Sequence, residues 1–158
     1  MALKINLRSY KVNTPRKKMD VIFDVNNTLG FMNSDGSRPK NSPGDVALVQ
    51  YLLKSVYSGG GIKPMGNLTV DGVYGPMTHY WSLFFMHHME EKKYIDVSEK
   101  GGNIVPFHQK FHAGNLDNSM IFQLNHEVYE RNFATFNDLE AKDSRFPALA
   151  KAGLVKVA

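Results

Sequence analysis

His108-Gln109-Lys110-Phe111-His112 sets two imidazoles at i and i+4, the spacing that puts both on one face of a helix. With His87-His88 upstream and His126-Glu127 downstream, these are the residue types of a zinc hydrolase, which needs about three such ligands and a carboxylate base. The surroundings argue against that chemistry. Pro106 and Gly114 bracket a segment too short for a firm helix, and no His-Glu-x-x-His motif occurs. We read these as ordinary, partly exposed histidines and expect no metal. Glu127 and Glu130 lie three apart on a predicted helix, and paired carboxylates cleave glycosidic bonds when they flank a substrate cleft. Arg131 and the aromatics around the pair mark a plain amphipathic face instead. The absence of cysteine removes thiol nucleophiles, thiolate zinc sites and disulfides. There is no Gly-x-Ser-x-Gly, and Gly59-Gly60-Gly61 lacks the lysine and hydroxyl that follow in a phosphate-binding loop. No catalytic residue and no cofactor is assigned, and the protein is expected not to be an enzyme.

The elements that would position these residues are those of an ordinary globular chain. Its 158 residues are 42% hydrophobic and 22% charged, enough to bury a sizeable core. No apolar run reaches the roughly 18 residues of a membrane span. Charge is uneven: Lys4, Arg8, Lys11, Arg16, Lys17 and Lys18 all precede the first acid, Asp20. The net charge is +4, so the rest of the chain is net negative. Leu3, Ile5 and Leu7 alternate with Lys4, Asn6 and Arg8, a period of two that predicts a strand. Asp20 to Val25 predicts a second strand, and the polar loop from Asn33 to Pro43 is the natural boundary.

Helices are predicted over Asp45–Tyr57, with a single apolar stripe of Val46, Val49, Leu53 and Val56, and over Pro76–Lys92. The second is apolar nearly all round, with Met77, Tyr80, Trp81, Phe84 and His88 on one side and Leu83, Phe85, Met86 and Met89 elsewhere, so other elements must wrap it. Tyr94 to Phe107 reads as a loop or short hairpin. A third long helix is predicted over Asn118–Phe133 with Asp117 as its N-cap. A short last helix begins near Pro147 and stops at Gly153, with Leu154 placed to pack back over its end.

Between the first two helices lies Leu68-Thr69-Val70-Asp71-Gly72-Val73-Tyr74-Gly75-Pro76-Met77-Thr78. It reads as an extended segment, a tight Asp-Gly turn in which Gly72 takes a positive φ, and a helix start at Pro76. Upstream stands Ser42-Pro43-Gly44-Asp45-Val46-Ala47-Leu48-Val49-Gln50-Tyr51-Leu52-Leu53. Together, from Ser42 to Met89, they resemble the peptidoglycan-binding domain family. Its signature is a Gly-Asp-Val helix ending near Leu-Gln-x-x-Leu, an Asp-Gly-x-x-Gly-x-x-Thr loop and a helix. The glycine-rich connection from Ser58 to Pro64 is longer than the family's, and the second helix lacks its Phe-Gln ending. The resemblance implies a mainly α fold: a small helical core over residues 42–93, preceded by a basic arm with short strands (1–41) and followed by a helical extension packed on the core (94–158). It also implies candidate glycan contacts at Tyr51, Asp71, Tyr74, Thr78 and Trp81, where aromatic faces stack on sugars and carboxylates bond to them. For Trp81 itself, the reading taken is core rather than sugar platform.

The expected function is that of a non-enzymatic structural or binding protein, a component of a phage particle or phage-like injection machine. The alternative is a peptidoglycan-binding protein acting during lysis or wall penetration. Met1 to Arg8 lacks the apolar core of a signal peptide, which points to cytoplasmic synthesis and motivates the particle reading. The partners expected are other protein subunits, with peptidoglycan as the second candidate. Nucleic acid is not expected, because Tyr10 is the one aromatic within the basic arm and no nucleic-acid motif is present. Residues Met1 to Lys18, with the six basic residues above, are expected to dock on a sheet edge or an acidic surface, that of another subunit.

Overall fold

The structure is a computed structural model and describes residues 1–7, 19–33, 35–92, 103–109 and 119–157. Among these residues the fold is mainly α, with five helices and a small three-stranded sheet. The strands are β1 (Leu3–Asn6), β2 (Val21–Asp24) and β3 (Val155–Val157). The helices are α1 (Pro43–Val56), α2 (Pro76–Glu91), α3 (Met120–Arg131), α4 (Leu139–Lys142) and α5 (Ala148–Ala152). Among the described residues no helix is long and apolar enough to cross a membrane.

The N-terminal alternation forms its predicted strand, and Leu3–Asn6 pairs with strands of its own chain. β1 is the central strand of the protein's own sheet, antiparallel to β2 and parallel to β3. Both of its faces are covered. Leu3 and Ile5 enter the core on one side, and Lys4 is buried on the other. There Lys4 lies opposite Phe23 in register, with its ammonium 5.7 Å from the ring centroid. It bonds the Glu140 carboxylate, and Asp138 lies 3.7 Å away. This corrects the assignment of Lys4 to a partner-binding arm. A basic residue in a central strand needs an internal anion, and the segment around α4 supplies it. Arg8, Lys11, Arg16, Lys17 and Lys18 lie outside the described residues.

The outer edge of β2 is closed from α3. Asn125 accepts from the Phe23 N–H at 2.8 Å and donates to the Phe23 and Ile121 carbonyls, each at 2.8 Å. One carboxamide thus replaces the missing ladder partner of an edge strand. The N-cap of α3 is Ser119, whose hydroxyl accepts from the Phe122 N–H at 3.0 Å. Asp117, expected in that role, lies outside the described residues.

The helices exchange the roles expected of them. α1 is the buried one: every residue from Asp45 to Leu53 is buried, not a single stripe. α3, α5 and α2 pack on it. Its polar residues Gln50 and Ser55 are bonded internally, and Lys54 is its one exposed residue after the first turn. α2 is one-sided. Thr78, Trp81, Ser82, Phe85, Met86 and Met89 face inward, whereas Met77 and Tyr80 are each 40% exposed. Trp81 is core, as expected, but on the face of Phe85 and not that of Tyr80 and Met77. α5 begins after Pro147 and stops at its C-cap Gly153 as predicted, and Leu154 packs against the core.

The Lys4–Glu140 pair generates a stability prediction. Lys4→Ala strands a nearly buried carboxylate and should lower the unfolding free energy by about 3 kcal/mol in urea denaturation. Replacing Lys4 and Glu140 together with methionine should recover most of that loss. A Lys4→Ala protein as stable as wild type would show that the pair contributes nothing.

Candidate functional site

The Asp71–Val73 end of the loop between α1 and α2 is held by one side chain of α1. Gln50, in the middle of α1, is 1% exposed. Its Oε1 accepts from the backbone N–H groups of Asp71 (3.0 Å) and Gly72 (2.9 Å). Its Nε2 donates to Asp71 Oδ1 (3.0 Å), the Val73 carbonyl (3.0 Å) and Thr78 Oγ1 (2.9 Å). Asp71 closes the turn by accepting from the Val73 N–H at 3.0 Å. That N–H and the Gln50 amide hold the Asp71 carboxyl below the usual carboxylate range. Gly72 has φ +77°, as the turn chemistry predicted, and a Cβ there would lie 2.9 Å from both Leu149 Cδ1 and the Pro43 carbonyl oxygen. The turn therefore demands glycine twice over, for its backbone angle and for its close approach to α1 and α5.

Beside this loop opens a cleft of about 320 Å3, within the range of small-ligand sites. α1 and its C-cap contribute Tyr51, Lys54, Ser55 and Tyr57, and the loop contributes Ser58, Lys63, Gly66, Asn67 and Val70. Trp81 of α2 and Arg145, just before α5, complete the walls. Tyr51 is 3% exposed and donates to Asp143 Oδ2 at 2.7 Å. Burial, then Asp143, raises its phenol well above the ordinary value, so it stays a neutral donor. Burial pushes the Asp143 carboxyl up, but the Arg145 fork and the Tyr51 hydroxyl outweigh it and hold it low. Arg145 grips Asp143 through Nε and Nη2, each at 3.1 Å. Trp81, 6% exposed, meets Tyr57 edge-on at 6.0 Å, and its indole N–H has no acceptor among the described residues.

The five glycan candidates divide three ways. Tyr51 and Trp81 share the cleft. Asp71 and Thr78 belong to the Gln50 lock. Tyr74 stands apart, its hydroxyl 3.1 Å from His79 Nδ1 and its ring edge-on to Phe31 at 5.5 Å. The sequence reading passed over Lys54, Lys63 and Arg145. Lys54 follows Tyr51 by one helical turn and was open to discovery, but nothing local links Arg145 to α1.

The histidines do not converge. Among the described residues no group of three His, Asp or Glu side chains is arranged to hold a metal. His88 Nδ1 meets the Tyr57 hydroxyl at 3.2 Å, and His126 pairs with Glu130 at 3.2 Å. Glu127 is taken by Arg131 at 3.2 Å, so each of the two spaced carboxylates has a partner on its own helix. His112 lies outside the described residues. His108 Nδ1 is 2.7 Å from Asp24 Oδ2, and the buried Asp24 also accepts from the backbone N–H groups of Phe107 and His108. The Asp24 bond, working against burial, raises the His108 pKa above its ordinary 6.5.

Two predictions follow from these contacts. Gln50→Leu leaves the Asp71 and Gly72 N–H groups unpaired in the interior and should cost about 2–4 kcal/mol in chemical denaturation. It should also speed amide exchange at Gly72, and unchanged exchange there would deny the lock. Because the folded His108 pKa is raised, its contribution is full below about pH 6.5 and is lost as pH rises through the folded value. Burial depresses His79 and His88, so they act in the opposite sense. The stability difference between wild type and His108→Gln isolates the dyad, and it should shrink from about pH 5.5 to 8.5. A constant difference would mean that the dyad does not titrate in this range.

No family model, no curated protein and no solved structure matches the chain, so its function rests on this geometry.

Proposed function

We propose that the protein is a non-enzymatic binding protein whose ligand, a fragment of peptidoglycan, seats in the cleft beside α1. The observation that carries this reading is the meeting of Tyr51 and Trp81, two of the residues nominated by the family resemblance, in one cleft of ligand size. The Gln50 lock fixes the Asp71–Gly72 turn, which directly follows Val70 of the opposite wall. The lining offers hydroxyl, amide and cationic donors with apolar surface, and it includes no Asp, Glu or His. Such a wall suits recognition better than proton transfer.

Ser58 sits exposed on the rim, so Ser58→Trp should fill the cleft without touching the core. In a pull-down on purified sacculi, wild type should be retained and Ser58→Trp should stay in the supernatant with an unchanged melting curve. Wild type left in the supernatant would sink the proposal.

A second reading, a protein subunit of an assembly such as a phage particle or phage-like injection machine, draws on another surface. Ile62 and Met65 are 77% and 80% exposed, and they adjoin the outer residues of α2: the Met65 N–H reaches Tyr80 Oη at 3.4 Å, and Met77 packs at Gly66. Exposed apolar patches of this kind mark protein contacts. In light scattering, this reading expects an oligomer that Met65→Lys dissociates.

A further inference from the structure

The cleft has a sign as well as a shape. Lys54, Lys63 and Arg145 reach it from three elements far apart in the chain: α1, the glycine-rich loop and the turn before α5. The carboxylate beside them, Asp143, is already committed to Arg145 and to the Tyr51 hydroxyl. Among the described residues neither Lys54 nor Lys63 has a carboxylate within ion-pair distance. Arg145 spends Nε and Nη2 on Asp143, so its Nη1 remains a donor. The site therefore carries an excess of positive charge at a concave, solvent-open surface, which raises the local concentration of anions.

Its neutral groups point the same way. Tyr57, Val70 and Trp81 add apolar surface to the same cleft. A bare inorganic anion has no use for that surface, whereas an amino acid or short peptide covers it with its carbon skeleton and presents an acid at its end.

We infer that the chemical group recognised in the cleft is the carboxylate of a peptide, held by Lys54, Lys63 and Arg145. The inference rests on the wall-binding reading only for the source of that peptide, since peptidoglycan carries carboxylates on its peptide stems. Lys63 comes from a loop whose glycines at 59, 60 and 61 have open space around them, so it can settle onto the bound acid while Lys54 and Arg145 stand on packed elements.

The test is calorimetric titration of the full chain with N-acetylmuramoyl-L-alanyl-D-glutamate and with its diamide, at low and high salt, for wild type, Lys54→Gln and Lys63→Gln. Both lysines are exposed, so both variants should keep the wild-type melting curve. The free acid should bind about tenfold or more tightly than the diamide, weaken with salt, and lose about tenfold on either substitution. Equal binding of acid and diamide would overturn the carboxylate inference and leave the wall reading standing. If neither muropeptide binds but acetyl-Ala-Glu does, and Lys63→Gln abolishes it, the wall reading fails and the carboxylate inference holds. Inorganic phosphate competing far more strongly than acetate would reassign the site to a phosphate and overturn the inference. Binding of none of these probes would overturn both.

Discussion

Gln50 places a carboxamide in the interior of α1, and an interior carboxamide is tolerated only when both of its ends are hydrogen-bonded. Here the oxygen takes two backbone N–H groups of the Asp71–Gly72 turn, and the nitrogen serves Asp71, the Val73 carbonyl and Thr78. The turn has no ladder or helix of its own to satisfy its backbone, so this side chain acts as its secondary structure. Thr78 belongs to the first turn of α2, so the same bonds also fix where that helix begins. The cleft lies between the far half of α1 and the loop that leads into this turn, with Val70 as the lining residue next to the lock.

A second constraint joins the two ends of the chain. β1 pairs in parallel with β3, so the C-terminal strand lies beside the N-terminal one. α5, just before β3, approaches α1 so closely that a Cβ on Gly44 would come within 3.0 Å of the Leu149 carbonyl oxygen. Lys4, bonded to Glu140 and near Asp138, ties the sheet to the segment around α4. The same C-terminal stretch delivers Asp143 to Tyr51 and Arg145 to the cleft. The fold that buries the first strand is thus the fold that assembles the cationic site.

The charges that remain are sorted by whether a partner is near. Asp24 is buried and fully bonded, and it organises the turn that carries His108. Asp143 is balanced by Arg145, whereas Lys54 and Lys63 face a cleft with no anion of their own among the described residues. Intramolecular pairing explains the first two groups. The last is solvent-exposed, and it is the group proposed to meet a ligand's carboxylate.

Much of the local structure was legible in the residues. The positive φ of Gly72, the start of α2 at Pro76, the stop of α5 at Gly153 and the strand at Leu3–Asn6 each depend on sterics and hydrogen bonds within a turn or two, which a short stretch of sequence contains. Burial of Trp81 was legible from its size, but not the face that buries it, since Met77 and Tyr80 point outward. Other features were not legible. Hydrophobic count marked α2 as the wrapped helix, yet α1 is the enclosed one, because its polar Gln50 and Ser55 find internal partners and α2 keeps Met77 and Tyr80 outward. The alternation of β1 was plain, but its partner was not, since pairing with β3 joins residues at opposite ends of the chain. Asp71 and Thr78 read as ligand contacts until the interior amide claimed them. The amino-acid sequence by itself determined the first two strands, the three long helices, the short last helix and the Asp71–Gly72 turn, since those choices are settled by near neighbours, whereas α4 and β3 were not read from it. Only the tertiary structure decided which faces are buried, which polar groups are already satisfied, and that Lys54, Lys63 and Arg145 meet around one cleft, because each of these depends on contacts between residues that local chemistry never brings together.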